Sequence, residues 1–440
     1  MKNVLILHGI NYYNAGDHGI VLAMVKALRN KFSDISITVA SPFLRNNQLE
    51  QEYVKKVRSN NEIAYPHEVS DLYQLPVGKG AKLVTLGYGL KAFGFCLFLT
   101  LMPYFLRKRF ACATEFGSSV LVSDVVLSKG GGFLLDRGTT YSVPIHLITI
   151  WISIILRKKT VIYAQTIGPF ESSFGRMVAG FVLRRVSLVL VRDQYSYDYS
   201  VNELRIDAAN VQLTADAAFA LACDHEGADE TVQGGQAGGP KGKLRACITL
   251  VSPRFAGLSE ASAEDQYCRV IARVAEGIAR KGWDVVFVPH LESGKFSDRI
   301  LAERIAEMCS ANMAEAIHIL EPTSPLDIIK LMTQCDVAIC SRMHSMIFSI
   351  DALLPFVAIS YLPKSDSMLL EAGLEDWRVS LPQMATGDAD AAVAGVNDKL
   401  AAIIADMPQS KAKVIGAQRL LVSRAEKNLT HLAELMFSEF

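Results

Sequence analysis

Val337-Ala338-Ile339-Cys340-Ser341-Arg342-Met343-His344 opens the most informative stretch of this chain. It continues through a helically spaced run to Pro355 and a second apolar run, Phe356–Ile359. Four apolar residues, a polar break, a helix over Met343–Leu353 and another short apolar run read as strand, helix, strand. Apolar runs this short and unbroken belong to strands buried on both faces, which are the strands of parallel sheets covered by helices. The polar break carries a second message. Ser341–His344 falls between a strand end and a helix start, where a doubly wound sheet places its ligands.

The same alternation fills both halves of the chain. On the C-terminal side it runs through strand Ala246–Val251, helix Asp265–Lys281, strand Asp284–Pro289, helix Phe296–Cys309, strand Ile317–Leu320 and helix Leu326–Gln334. On the N-terminal side come strand Val4–Leu7, helix Asp17–Lys31 and strands Ile35–Val39, Val120–Leu127, Thr160–Ala164, Leu188–Val191 and Val211–Leu213. The pattern reads as an α/β chain of two Rossmann-type doubly wound domains facing a cleft, which resembles the GT-B architecture, with a C-terminal amphipathic helix over Ser410–Phe440. The segment 224–243, rich in Gly and polar residues and without periodicity, reads as a linker. It divides an N-terminal acceptor-side domain (1–223) from a C-terminal donor-binding domain (244–400), followed by a helical segment (401–440).

Composition narrows the function. Among 440 residues, Lys+Arg and Asp+Glu are 45 each, so no basic excess exists to grip nucleic acid. The 8 cysteines form no C-x-x-C pair and fit core packing in a reducing, cytoplasmic setting better than a disulfide framework. Val4–Leu7 is too short for a signal-peptide core and reads as a buried first strand. The mean hydropathy of +0.23 is higher than that of most soluble enzymes. Two runs account for much of it: Phe93–Leu106, followed by Arg107, Lys108 and Arg109, and Val143–Leu156, followed by Arg157, Lys158 and Lys159. Both fall short of the ~20 residues a spanning helix needs. They read as core helices or as interfacial segments whose cations meet anionic head groups at the inner face of a membrane.

Polar groups recur at strand ends. Asn14-Ala15-Gly16-Asp17 lies at the turn into the first helix, where Gly16 allows a tight turn and Asp17 could cap. Lys129-Gly130-Gly131-Gly132 follows a strand without forming a dinucleotide fingerprint, and would let backbone approach a ligand. Gln165 precedes the turn Gly168-Pro169, and Arg192 ends another strand, with Asp216 near. The C-terminal half is denser. Arg254, His290, Ser341, Arg342, His344 and Lys364 all follow strands. Cations and histidines on one sheet edge, with the dipole of the helix opened by Arg342–His344, describe a site for a small polyanion.

Together these residues are similar to the polysaccharide pyruvyl transferase family. The resemblance is carried by Asn14–Asp17, Gly130–Gly132, Gln165 with Gly168-Pro169, Arg192, Asp216 with Ala218-Phe219, and above all Ser341–His344 through Pro355 to Ser360-Tyr361 with Lys364. It implies a GT-B-like fold and phosphoenolpyruvate as co-substrate. It also implies ketal transfer onto two hydroxyls of a sugar in a cell-surface glycan; the interfacial reading of the two greasy runs would suit an acceptor carried on a lipid. No other cofactor and no metal is required. In that chemistry His344 is the expected general acid and Asp17 the group that orients or deprotonates an acceptor hydroxyl. Arg254, Arg342, Lys364, Ser341 and His290 are expected around the donor, and Asn14, Gly131, Gln165 and Arg192 on the acceptor side or cleft. The alternatives are a nucleotide-sugar glycosyltransferase of GT-B type and a non-catalytic, membrane-associated scaffold for polysaccharide assembly. The first would normally place a carboxylate before the helix that Arg342–His344 opens here.

Overall fold

A computed structural model of the chain describes residues 2–42, 55, 64–72, 81–136, 142–221, 243–292, 297–322 and 324–437. The expected linker, 224–243, lies outside the described residues except for Lys243. The chain folds into two compact units, one of Met1–Tyr12, Ile20–Ala220 and Val422–Phe440, the other of Tyr13–Gly19 and Leu221–Leu421. These units depart from the expected boundaries in two places. Tyr13–Gly19 groups with the second unit, and the C-terminal helix Met407–Phe437 divides at Val422. Hydrogen bonds account for both. Ala15 N–H donates to the His290 carbonyl at 2.9 Å. Far along the C-terminal helix, Asn428 Nδ2 donates to the Ala215 carbonyl at 3.0 Å, and Thr214 Oγ1 donates to Asn428 Oδ1 at 2.7 Å.

The first unit holds an eight-stranded sheet. Its strands are β1 (Lys2–Leu7), β2 (Ile35–Ser41), β3 (His67–Ser70), β4 (Val125–Ser128), β5 (Gly131–Asp136), β6 (Lys159–Phe170), β7 (Leu188–Val191) and β8 (Val211–Leu213). They lie in the order β3-β2-β1-β4-β6-β7-β8, with β5 paired to β6, and every pair is parallel. Two expectations change here. Val120 belongs to a helix, Glu115–Val122, whose first turn Thr114 caps by accepting the Gly117 N–H, and the strand starts only at Val125. Apolar residues on both sides mask the boundary, which Ser123-Asp124 supplies. Gly131, expected in a ligand-approaching loop, begins β5 and pairs with Gln165.

The second unit holds six parallel strands: β9 (Arg245–Ile248), β10 (Asp284–Phe287), β11 (Ile317–Ile319), β12 (Val337–Cys340), β13 (Phe356–Ser360) and β14 (Arg378–Ser380). Their order is β11-β10-β9-β12-β13-β14. The order in which successive strands are added therefore reverses between β9 and β12, the switch point at which such sheets bind ligands. Every residue of β12 and β13 is buried. Each large aliphatic side chain removed from water there contributes about 1.5–3 kcal/mol. The strand ends that carry the site are thus fixed to the most deeply buried part of this unit.

Candidate active site

The site of the second unit is built at the β9/β12 switch point. Thr249 follows β9 and ties it to the turn after β12. Its N–H donates to the Ile339 carbonyl at 2.9 Å, and its Oγ1 accepts the Ser341 N–H at 3.0 Å. The same hydroxyl donates to Ser345 Oγ at 2.8 Å, and Ser345 Oγ accepts the Arg342 N–H at 3.1 Å. Arg342 is the N-cap of the helix Met343–Asp351, so this network sets where Arg342 and His344 leave the strand. Ser341 is fully buried, its hydroxyl 3.2 Å from the Tyr267 hydroxyl. It is spent on holding the turn.

Asp298, which no motif singles out, is the centre of the candidate site. Its carboxylate is fully buried and accepts four N–H groups. Two come from the backbone of His290 and Leu291, each at 3.0 Å. Two come from the Arg342 guanidinium, Nε at 2.9 Å and Nη2 at 2.6 Å. Burial works against the Arg342 cation, yet the Asp298 charge and its hydrogen bonds hold the guanidinium above its ordinary pKa. The guanidinium carbon also lies 5.1 Å from the centre of the Phe255 ring.

His290 lies just past the end of β10 and is buried. Its Nδ1 is 3.0 Å from the Val288 carbonyl. A carbonyl only accepts, so Nδ1 carries the proton and Nε2 a bare lone pair. Nε2 is buried without a hydrogen-bond partner among the described residues. Burial pushes the imidazole pKa down to about 4, with Val288 and Asp298 opposing and Arg342 assisting. His290 is therefore neutral at neutral pH. Its ring stacks on Phe348 at 5.8 Å, and the His344 ring lies tilted against the same Phe348 at 6.4 Å.

The Asn14–Asp17 segment completes the wall. Asn14 forms an isolated antiparallel bridge with Leu291, and the Tyr13 carbonyl accepts the Glu292 N–H at 2.9 Å. Asn14 also caps the helix Ala15–Lys31, its Oδ1 accepting the Gly16 and Asp17 N–H groups at 3.1 and 3.4 Å. This corrects the expectation that Asp17 caps; Asp17 is the third helical residue and half-buried. Gly16 is required for a reason spacing could not reveal. A Cβ there would stand 2.2 Å from His344 Nδ1.

The other expected residues are placed as follows. Arg254 follows β9 in the turn Pro253–Ala256, 3.8 Å from Glu264, with its side chain 38% exposed. Lys364 is the second residue of the helix Pro363–Glu371, after β13. Arg254, His290, Arg342 and Lys364 thus all sit at C-terminal ends of parallel strands of one sheet. In the first unit, Arg192 is buried in an ion pair with Asp216, and its Nε donates to Thr166 Oγ1 at 2.7 Å. That network clamps β7 to the segment after β8. Gln165 lies within β6, fully buried, and neither side-chain polar atom has a hydrogen-bond partner among the described residues. Among the described residues no group of three or more His, Cys, Asp or Glu is placed to hold a metal ion.

Two parallel doubly wound sheets define a GT-B-like α/β protein, and solved structures share that fold. The UDP-GlcNAc 2-epimerase of Neisseria meningitidis, solved bound to UDP-GlcNAc, is similar with a TM-score of 0.58 at 10% identity, covering 99% of this chain and 100% of that one. S. aureus MnaA, in a co-structure with UDP, gives 0.57 at 10% identity, covering 99% and 97%. Residues 14–363 match the family described as polysaccharide pyruvyl transferase, and the chain belongs to that family. Among curated proteins it is similar to the amylovoran biosynthesis protein AmsJ of Erwinia amylovora, 22% identical over 421 residues, covering 93% of this chain and 94% of that protein.

Proposed function

We propose that the chain transfers the pyruvyl group of phosphoenolpyruvate onto two hydroxyls of one sugar in a cell-surface or exopolysaccharide precursor, releasing phosphate. The observation that carries this reading is the pairing of His344 with a buried, neutral His290 across Phe348, beside the Arg342 guanidinium that Asp298 holds. The family and the AmsJ likeness support the same direction.

In this reading His344 protonates the methylene carbon of phosphoenolpyruvate, leaving an oxocarbenium at the neighbouring carbon. One sugar hydroxyl attacks that carbon, the carbon–oxygen bond to phosphate breaks, and a second hydroxyl closes the ketal. Two hydroxyl protons are released. One restores His344 and the other leaves with phosphate. His290, neutral and with a lone pair at Nε2, suits accepting a hydrogen bond that orients a hydroxyl rather than binding an anion. Asp17 is the second candidate acceptor. Arg342, Arg254 and Lys364 offer charge to the carboxylate and phosphate, where charge-assisted hydrogen bonds are strongest. Asp298 keeps the Arg342 guanidinium oriented.

The test is incubation with phosphoenolpyruvate and candidate oligosaccharide acceptors, measuring phosphate release and a pyruvate-ketal mass gain in the same samples. Equal molar appearance of both supports the reading. Phosphate without mass gain, or neither product with any acceptor, overturns it.

A further inference from the structure

We propose that the helices Ala81–Leu101, Tyr104–Ala111 and Ser173–Leu183 of the first unit form a surface that docks on an anionic phospholipid bilayer. This inference goes beyond pyruvyl transfer and does not rest on it. The helix Ala81–Leu101 is apolar on opposite faces. Ala92, Cys96 and Leu99 pack into the core of the unit, while Leu90, Phe93, Leu97 and Leu101 stand 64%, 57%, 48% and 78% exposed. Those four recur at intervals of three or four residues and so form one stripe. A surface helix ordinarily turns a polar face outward. The next helix adds Phe105, and Ser173–Leu183 adds Phe174, both 71% exposed. Between them opens a cavity of about 470 Å³ walled by Phe93, Leu97, Trp151, Phe174 and Phe181. Contiguous exposed apolar surface of this kind marks an interaction site.

Charge selects the occupant. The sequence has no Asp or Glu between Asp71 and Glu115, and only Glu171 between Asp136 and Asp193, in a chain with equal numbers of acids and bases. Part of the basic content is structural. Arg107 donates to the carbonyls of Met102, Thr100 and Ile155, and Lys158 to those of Leu121 and Ser123. Lys91, Lys108, Arg109 and Arg157 remain exposed around the apolar stripe. Lys108 and Arg157 lie over the half-buried Tyr104 ring, at 5.0 and 4.1 Å. An apolar stripe rimmed by cations suits shallow insertion into the head-group region with salt-sensitive attraction to anionic lipid. A second copy fits poorly, because a two-fold contact would set this basic rim against itself. No helix among the described residues is long and apolar enough to cross a membrane, so contact would be peripheral.

Co-sedimentation of the full chain with vesicles tests this. One set is phosphatidylcholine containing roughly a third phosphatidylglycerol, the other phosphatidylcholine alone. Binding should favour the anionic vesicles by about tenfold or more at low salt and weaken as salt is raised. Two variants separate the contributions, Leu97→Ser with Leu101→Ser, and Lys91→Gln with Lys108→Gln and Arg109→Gln. Each should lose about tenfold in binding while its melting temperature stays near wild type, since the side chains are exposed. Brominated lipid in the same vesicles should quench Trp151. Failure to sediment with anionic vesicles at low salt, or binding that the leucine variant leaves unchanged, overturns the proposal. So does a stable dimer in solution that the leucine variant dissociates while vesicles stay unbound.

Discussion

The Asp298 carboxylate is fully buried and grips Arg342 through two guanidinium N–H groups while it also accepts the His290 backbone N–H. One carboxylate therefore fixes the cation after β12 and the imidazole after β10 together. Removing the cation leaves that carboxylate buried and unpaired, which costs about 3–5 kcal/mol. Arg342→Ala should lower stability by that amount in urea unfolding. Adding Asp298→Asn should recover part of the loss, a non-additivity expected of contacting residues. A loss under 1 kcal/mol for Arg342→Ala would show that the pair is solvated in the native protein.

His344 should act in the chemical step. His344→Gln is expected to lower turnover about 100-fold or more with little change in phosphoenolpyruvate affinity, because general-acid catalysis is typically worth ~10²–10⁴. Single-turnover phosphate release, with donor affinity from calorimetry, separates the two effects. Near-wild-type turnover across neutral pH would remove His344 from the chemistry.

Gly16→Ala tests the same imidazole from the opposite wall. Alanine is the better helix former, so the helix itself should not suffer. The new methyl meets His344 Nδ1, however, and the ring must move. The expected result is a fall in turnover approaching that of His344→Gln, with a melting temperature within a few degrees of wild type. Retained turnover would mean that the ring position is not critical.

Stability should rise with pH through the acid range in part because of His290. Its unfolded pKa is 6.5 and burial sets the folded value at about 4. Between these values the unfolded chain binds more protons, so stability grows from about pH 4 to 6.5 and is then flat as far as this group is concerned. The full span is worth about 3 kcal/mol. Buried His8 is shifted the same way, so His290→Gln should reduce the slope of urea stability against pH without abolishing it. An unchanged slope would place His290 in contact with solvent.

Arg254 is proposed to lie beside the donor, and its ion pair with Glu264 spans 3.8 Å at a partly exposed position. Arg254→Ala should leave stability within about 0.5 kcal/mol of wild type. It should weaken phosphoenolpyruvate binding by about 1.5–3 kcal/mol, the usual worth of a hydrogen bond to a charged group. Equal donor affinity in wild type and variant would exclude the contact.

The sequence made the sheets legible because parallel strands announce themselves as short apolar runs, and once the strands are parallel the residues after them must share an edge. Arg254, His290, Arg342 and Lys364 follow from that rule alone. Asp298 does not. Behind Ser297, at a helix start, it looks like an ordinary first-turn acid, and only the path of the chain back past β10 turns it toward Arg342. Gly16 reads as a turn residue, whereas its requirement comes from a side chain more than 300 positions away. Val120 reads as strand because apolar residues flank the short Ser123-Asp124 break on both sides, so helix end and strand start look alike.

The helix Met407–Phe437 has a consequence for how the molecule is made. Lys159 Nζ donates to the Leu435 carbonyl at 2.8 Å, and Asn428 caps Thr214 and Ala215 at the end of β8. A ribosome delivers those partners 214 and 276 residues after the residues that need them. The unit translated first must therefore wait, with part of its surface open, for nearly the whole chain to emerge, and a fragment cut after Ala220 would wait indefinitely.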